Sequence, residues 1–422
     1  MKVVVQKFGG GCVEEENEDL TAERIMEAKD VELMPVIVIS AMGRKGNPYS
    51  TADLYALAYN ISPHIEPREL DLLLSCGEIL STARMAHLLR SKGYETIALT
   101  GGQAGLLTDG YYSHARIIDI QPAHLLSALD DGKMIFVCGF QGVTADHGIT
   151  TLGEGGSDYT AVALAVTLEQ TPRSPIGEEI EVAPLHIYKQ VDGVMTANPA
   201  LFEGSSGEPL NIPTLSYDEM VAMSRLGADV VQHKAALMAH KHHLPVQVRN
   251  FTHAGGAFTE ISRTVARSHR REVTGVADMG PLRVFVVHDN DPRCGNRLGE
   301  LLDRDRFNFY TLPTEGEGMR VAVKPEKYRD VRGMIAHIFR DREIPFDFVS
   351  EEFGLVSVVG EGMTGCMESI RGQTVETLET DGIEVDVVLE GPMSFSFLVP
   401  EGQRREAVHR LHQRFVEEAP GP

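Results

Sequence analysis

Positive charge is what this sequence has least of: 39 lysines and arginines stand against 61 aspartates and glutamates, a formal net charge of -22. That deficit argues against nucleic acid or an acidic membrane surface as a partner, since both reward a basic protein. Any anion site must therefore gather its cations locally. Cysteine is also scarce. Cys12, Cys76, Cys138, Cys294 and Cys366 lie far apart and form no Cys-x-x-Cys pair, which speaks against a disulfide framework or a zinc site and fits reduced thiols in a cytosol. No metal-ligand cluster is read from the sequence, and His240, His242 and His243 look like the solvated end of a polar helix. No apolar run approaches the roughly 18 residues of a membrane helix. Met1 leads straight into Val3, Val4 and Val5, without the basic and then apolar pattern of a signal peptide. A soluble cytoplasmic protein is the expectation.

What is present supports a substantial core. Hydrophobic residues make up 42% and charged residues 24% of the chain, which places it among globular rather than disordered proteins. Its 422 residues predict one large domain and one or two small ones. Through the first 250 residues short apolar runs alternate with helical patterns. Val3 to Val5, Val36 to Ile39, Thr96 to Leu99, Met134 to Val137, Leu185 to Tyr188 and Val246 to Val248 read as strands buried on both faces. Leu54 to Ala58, Glu69 to Ser91 and Tyr159 to Thr167 carry apolar residues at helical spacing. This alternation predicts an α/β fold, a mostly parallel central sheet sandwiched by helices.

The stretches Gln170 to Ala183 and Phe202 to Pro213 look like surface excursions. Arg263, Arg267, Arg270 and Arg271 cluster in a polar linker, where a boundary is placed. Beyond it, two β-rich units share a layout: Leu282 to Val287, a helix over Arg297 to Leu302 and a strand Met319 to Val323; then Leu355 to Val359, a helix near Met367 to Arg371, Glu384 to Leu389 and Phe395 to Leu398. Two α+β repeats of the ferredoxin-like βαββαβ type account for them. The expected domains are 1–262, 263–345 and 346–422.

Two glycine-rich segments carry the chemistry. Lys7-Phe8-Gly9-Gly10-Gly11 follows the first strand, where glycines let backbone N–H groups approach phosphate oxygens and a lysine adds a compact positive charge. Alone, such a turn is more often only a tight connection. The second segment, Thr150 to Asp158, runs into the helical Tyr159 to Thr167. Ser157 and Asp158 read as its N-caps, beside N–H groups and glycines that suit an anion. Two such loops in one parallel-sheet domain strengthen each other, because ligands gather beyond the carboxyl ends of the strands. Lys7 adds a further reason, since an unpaired buried ammonium is costly to keep.

Taken together and in order, Lys7-Phe8-Gly9-Gly10, Ser40-Ala41-Met42-Gly43, Ser75-Cys76-Gly77-Glu78, Gly105 to Thr108 with His114-Ala115-Arg116-Ile117, Gly139-Phe140-Gln141-Gly142, Thr150 to Asp158 and Ser216-Tyr217-Asp218-Glu219-Met220 resemble the aspartokinases. The likeness covers nearly the whole chain. It implies the amino-acid kinase fold followed by paired ACT domains, with Val356 to Gly360 opening the second and Ala407 to His412 in its last helix. It implies transfer of the ATP γ-phosphoryl group to the side-chain carboxylate of aspartate, with Mg²⁺, in amino-acid biosynthesis. Phosphoryl transfer asks the protein mainly for positive charge and positioning. By this resemblance Lys7 and Asp158 are catalytic. Ser40, Thr51, Glu78 and Glu154 lie on the substrate side, with Glu78 receiving the ammonium. Gly9, Gly10, Gly11, Gly155, Gly156, Ser157, Lys189 and Lys234 line the nucleotide phosphates, and no residue is assigned to a metal. A homodimer and an amino-acid effector such as lysine or threonine at the ACT domains are also implied.

Several positions depart from the family. Gly11 and Cys12 replace its Thr-Ser pair, costing hydrogen bonds worth about 0.5 to 1.5 kcal/mol each. Glu154 stands where the family's Gly-Arg-Gly-Gly-Ser-Asp motif has the arginine that grips the α-carboxylate. Ala200 replaces a phosphate-side arginine, and Asp229 stands where many relatives carry lysine. Lys189 restores part of the lost charge. The loop Asp289 to Asn296 lacks the family's Pro-Gly, which leaves the effector open. Two alternatives follow: a kinase of altered substrate specificity, or a catalytically lapsed regulatory or binding paralogue.

Overall fold

Val3, Val4, Val5 and Val36 to Ile39 have no exposed surface, and such runs, apolar on both faces, build the middle of a parallel sheet. The computed structural model of the chain describes all residues except 44–45, 63–64, 206, 229–230, 264–270, 289–301, 303–308, 313–318, 325–330, 342–343 and 419–422. Asp229, the arginine linker from 264 to 270, the loop Asp289 to Asn296 and the expected helix over 297–302, apart from Leu302, thus lie outside the described residues. The chain divides into two units, one of Met1–Val194, Asn211–Val221 and Asp229–Val265, the other of Met195–Leu210, Ala222–Ala228 and Ala266–Pro422.

The first unit begins with β1 (Lys2–Phe8), α1 (Glu18–Asp30), β2 (Met34–Ile39), α2 (Thr51–Tyr59), α3 (Pro67–Ser91) and β3 (Thr96–Leu99). Next come β4 (Leu106–Thr108), β5 (Ile117–Ile120), α4 (Ala123–Asp130), β6 (Met134–Cys138), β7 (Gln141–Val143), β8 (Ile149–Thr151) and α5 (Gly156–Glu169). After β9 (Glu181–Val182), β10 (Leu185–Lys189), β11 (Thr214–Leu215), α6 (Tyr217–Arg225, whose residues from Ala222 on belong to the second unit) and α7 (His233–His242), the strands β12 (Val246–Asn250) and β13 (Phe258–Ile261) complete it. The main sheet has the order β11-β13-β12-β10-β1-β2-β6-β3, with β9 beside β1. It is parallel except between β12 and β13. The expected strands and helices all appear, most of them one or two residues longer. From β1 the chain moves to β2 on one side, whereas β10 returns on the other. Neighbouring strands that part in this way open a crevice at their carboxyl ends, and Lys7 and Lys189 stand at that edge.

α6 starts with a capping box: Ser216 N–H and Oγ both donate to Glu219 Oε2 at 3.1 Å, and Glu219 N–H donates back to Ser216 Oγ at 3.2 Å. The Ser216 to Met220 motif therefore has a structural use as a helix start.

The second unit holds β14 (Gly275–Val287), β15 (Phe309–Leu312), β16 (Met319–Val323), α8 (Val331–Asp341), β17 (Phe346–Val359), α9 (Met367–Thr380), β18 (Val387–Gly391), β19 (Ser394–Pro400) and α10 (Arg404–His412). Its six strands form one antiparallel sheet in the order β15-β16-β14-β17-β19-β18. The two repeats are not closed sheets of their own. β14 and β17 pair along their whole length, from Gly275 against Val359 to Val287 against Phe346. Residues 275–279, which precede the first repeat, thereby supply the edge that the second repeat needs. Two cores follow, one around Phe285, Val321, Ile335 and Phe339, the other around Val276, Val358, Ile370, Phe397 and Leu411.

The expected surface excursion at Phe202 to Pro213 is corrected at its first residue. Phe202 is buried in the second core, its ring stacked on His409 at 4.2 Å and edge-on to His412 at 5.0 Å. An aromatic ring that finds apolar cover stays there, because its burial alone is worth roughly 2 to 3 kcal/mol.

Candidate active site

At the carboxyl end of β1, Lys7 is 7% exposed and its Nζ lies 2.6 Å from Asp158 Oδ1. Asp158 is not the helix cap expected of it. Gly155 fills that position at φ 70°, without a side-chain bond, and Asp158 lies in the first turn of α5. There it faces β1, and its Oδ2 accepts the Gln232 N–H at 3.2 Å. Burial works against ionisation of Asp158, but the charges of Lys7 and Lys189, with the Lys7 and Gln232 hydrogen bonds, hold its carboxyl below the ordinary value. The pair is thus ionic, and Lys189 is close enough to act on it.

The loop after β1 is closed against β2. A Cβ on Gly10 would stand 2.6 Å from the Ala41 carbonyl oxygen and 3.0 Å from that of Gly43, so only glycine fits. Gly10 O accepts the Gly43 N–H at 3.1 Å, and Phe8 O accepts the Ser40 N–H at 3.2 Å. A Cβ on Gly9 would be 3.7 Å from Lys7 Nζ, and one on Gly11 would be 3.1 Å from Gln190 Nε2 at the end of β10. On the other side, a Cβ on Gly155 would meet the Gln232 side chain at 2.5 Å. Lys234 Nζ donates to Leu152 O at 3.3 Å. Cys12, in the family's serine position, is buried beneath this loop, and burial pushes its thiol up to about 11.

Glu78 projects from α3 toward the end of β2. It is 2% exposed, and its Oε1 accepts the Ala41 N–H at 3.0 Å. Its Oε2 is buried without a hydrogen-bond partner, and burial pushes the carboxyl up to about 8. A buried carboxylate oxygen left bare is costly unless a ligand supplies the donor. Ser40 O accepts from Ser81 Oγ at 2.7 Å, which ties the end of β2 to the same helix. Thr51 opens α2 directly after Ser50, whose Oγ caps it by accepting the Asp53 N–H. The preceding Tyr49 carbonyl packs on Gly77, where a Cβ would approach it to 2.9 Å.

The structure thus brings Lys7, Gly9, Asp158 and Lys189 together at the carboxyl ends of β1 and β10, ties Gly155 and Lys234 to the loop before α5, and sets Glu78 and Ser40 at the end of β2, with Thr51 opening α2 nearby. Glu154 is exposed on the turn between β8 and α5. Ala200 is exposed and belongs to the second unit. Among the described residues, no group of three or more His, Cys, Asp or Glu side chains could hold a metal ion. His240 stacks on Tyr217 and lies 3.4 Å from Asp218.

Sequence reading missed Asp71, which is fully buried on α3 and accepts four hydrogen bonds from Ser113 and Thr151. Its signal was an acid inside the apolar run Leu70 to Leu74, two turns before Glu78.

Comparison with known proteins gives consistent matches. The amino acid kinase family matches residues 2–171 and 174–250, and the ACT domain matches residues 356–415. The chain is 36% identical to aspartokinase 1 of Bacillus subtilis strain 168, over 98% of this chain and 99% of that one. It is 32% identical to the aspartokinase of Mycolicibacterium smegmatis, over 98% and 96%. In fold it is similar to E. coli aspartokinase III in complex with aspartate and ADP, with a TM-score of 0.76 at 18% identity over 99% of this chain and 100% of that one. The E. coli enzyme in complex with lysine and aspartate gives a TM-score of 0.65 over 98% and 99%.

Proposed function

The chain belongs to the aspartokinase family, and from that premise we propose that it moves the γ-phosphoryl group of ATP onto the side-chain carboxylate of aspartate, in amino-acid biosynthesis. The observation that carries this reading is the buried Lys7–Asp158 pair at 2.6 Å, set at the carboxyl end of β1, with the bare oxygen of Glu78 near the end of the neighbouring β2. Asp158 keeps a buried ammonium charged and aimed. Lys7 then offers its charge to the equatorial oxygens of the phosphoryl group in transit, where preorganised charge acts most strongly. Lys189 and Lys234 add positive potential on the nucleotide side, and Gly9, where a Cβ would stand 3.7 Å from Lys7 Nζ, leaves the backbone beside that ammonium open to phosphate oxygens. Glu78 Oε2 receives the α-ammonium of aspartate, while Ser40 and Thr51 hold the substrate beside it.

With Glu154 on an exposed turn, the grip on the α-carboxylate falls to the positive end of α5. Mg²⁺ would arrive with the nucleotide, and no residue of the chain is assigned to hold it. When bound it neutralises phosphate charge.

The reading keeps 1–262 as the kinase-type domain and places two ACT-like domains at 263–345 and 346–422, which bind an amino-acid effector and pair in a homodimer. No helix among the described residues is long and apolar enough to cross a membrane, and a cytoplasmic enzyme is proposed. A coupled assay of ADP release with Mg-ATP tests the activity. Release should require aspartate; ADP release that is absent, or indifferent to aspartate, overturns it.

A further inference from the structure

We infer that Asp71 is a positioning residue for the reaction proposed above: its buried carboxylate fixes the Thr151 to Asp158 loop against the helix that carries Glu78. The inference rests on that reading of the site. Asp71 and Glu78 lie seven residues apart on α3, two helical turns, and so share a face. Each oxygen of Asp71 takes two donors. Oδ2 accepts the backbone N–H of Thr151 at 2.7 Å and of Ser113 at 2.8 Å, and Oδ1 accepts their hydroxyls at 2.8 and 3.3 Å.

Both partners adjoin the loop that leads to Asp158. Thr151 ends β8 and begins the stretch to Asp158. Ser113 sits at φ 67°, a left-handed conformation that a residue with a side chain enters at some cost and that its surroundings must hold. Ala115 N–H donates to Thr151 O at 2.9 Å. His114, between them, lies so close to the loop that a Cβ on Gly153 would stand 2.9 Å from its Nδ1. The loop is therefore pinned at both ends, at Thr151 by a carboxylate of α3 and at Asp158 by the ammonium of Lys7. One rigid helix thus holds the ammonium receptor, Glu78, and the near end of the loop that leads to the phosphoryl site. Charge-assisted hydrogen bonds to a carboxylate are short and directional, which suits a fixed spacing.

The test compares the full-length chain with its Asp71→Asn and Thr151→Val variants. Asn keeps the shape but turns a donor toward groups that are themselves donors; Val removes one hydroxyl bond and keeps the backbone bond. The expected result is a loss of kcat/KM for aspartate of roughly 10²-fold in Asp71→Asn and about tenfold in Thr151→Val, the range that a misplaced reacting group produces. KM for ATP should rise less than KM for aspartate, because Glu78 shares α3 with Asp71, and amide exchange should quicken only within residues 111–116 and 150–158. Variants that melt earlier but keep the wild-type KM and kcat overturn the inference, as does an equal rise in KM for ATP. Should Asp71→Asn not fold, Thr151→Val carries the same comparison. If the wild type itself does not turn over aspartate, the functional reading fails and the exchange pattern alone decides the positioning role. Quickening confined to those two segments supports it, and quickening spread through α3 and the main sheet overturns it.

Discussion

Raising the pH from 6.5 to 8.5 is expected to tighten aspartate binding, because Glu78 must be ionised to receive an ammonium and burial resists its ionisation. Its carboxyl is pushed from the ordinary 4.5 up to about 8. At pH 6.5 the group is mostly neutral, so binding has to expel a proton. The apparent dissociation constant is then the intrinsic one scaled by the fraction of ionised Glu78, a penalty that falls from about 33-fold at pH 6.5 to about 1.3-fold at pH 8.5. The difference is roughly 25-fold, or about 1.9 kcal/mol. The same shift acts on the empty fold with the opposite sense. Because the folded state binds this proton more tightly than the unfolded chain, the stability from neutral Glu78 is complete below about pH 4.5 and is lost as the pH rises toward 8. KM for aspartate at saturating Mg-ATP reports the binding trend, and calorimetry in two buffers of different ionisation heat counts the released proton. Glu78→Gln should bind aspartate more weakly and flatten the profile. A KM that stays level between pH 6.5 and 8.5, or a Gln variant with the wild-type slope, refutes the reasoning.

Lys7→Met is expected to lower kcat by about 10²- to 10³-fold, the usual effect of removing one preorganised charge. It should also destabilise the fold by about 3 to 5 kcal/mol, because the buried Asp158 loses its ion-pair partner; adding Asp158→Asn should recover stability but not turnover, as urea midpoints and kcat would reveal. Gly10→Ala forces a Cβ to within 2.6 Å of the Ala41 carbonyl, so a loss of about 1 to 3 kcal/mol is expected with a raised KM for ATP; an unchanged melting temperature contradicts the packing. His186, on β10, is pushed down to about 3, first by burial and then by the Arg249 charge. The unfolded chain takes up this proton below about pH 6.5 and the folded chain does not, so stability should fall on acidification, by about 2 kcal/mol at pH 5. In His186→Gln the urea midpoint should decline less between pH 7 and pH 5.

The parallel sheet was legible because its strands are short runs apolar on both faces that alternate with segments at helical spacing. Lys7 and Asp158 were legible as members of two loops. That they meet rests on Asp158 facing β1 from inside the first turn of α5, whereas sequence spacing pointed to a cap. Asp71 was hidden for a different reason. Its partners lie 42 and 80 residues away, and only the fold brings β8 and the Ser113 turn onto α3. In the second unit only Leu282 to Val287 of β14 was expected; its earlier half joins it through the register shift between Met279 and Leu282, where Gly280 and Pro281 are residue types that weaken a strand signal. Phe202 was passed over because glycines, serines and prolines surround it, although an isolated phenylalanine in such a run is itself a sign of burial.

The product of the proposed reaction is an acyl phosphate on the side chain of aspartate, and trapping it with hydroxylamine, which displaces phosphate and leaves a hydroxamate, tests the central claim most directly. With Mg-ATP and aspartate the chain should form the hydroxamate in step with ADP, and Lys7→Met should form almost none. No hydroxamate from the wild type, under conditions where aspartokinase 1 of Bacillus subtilis forms it, would contradict the account.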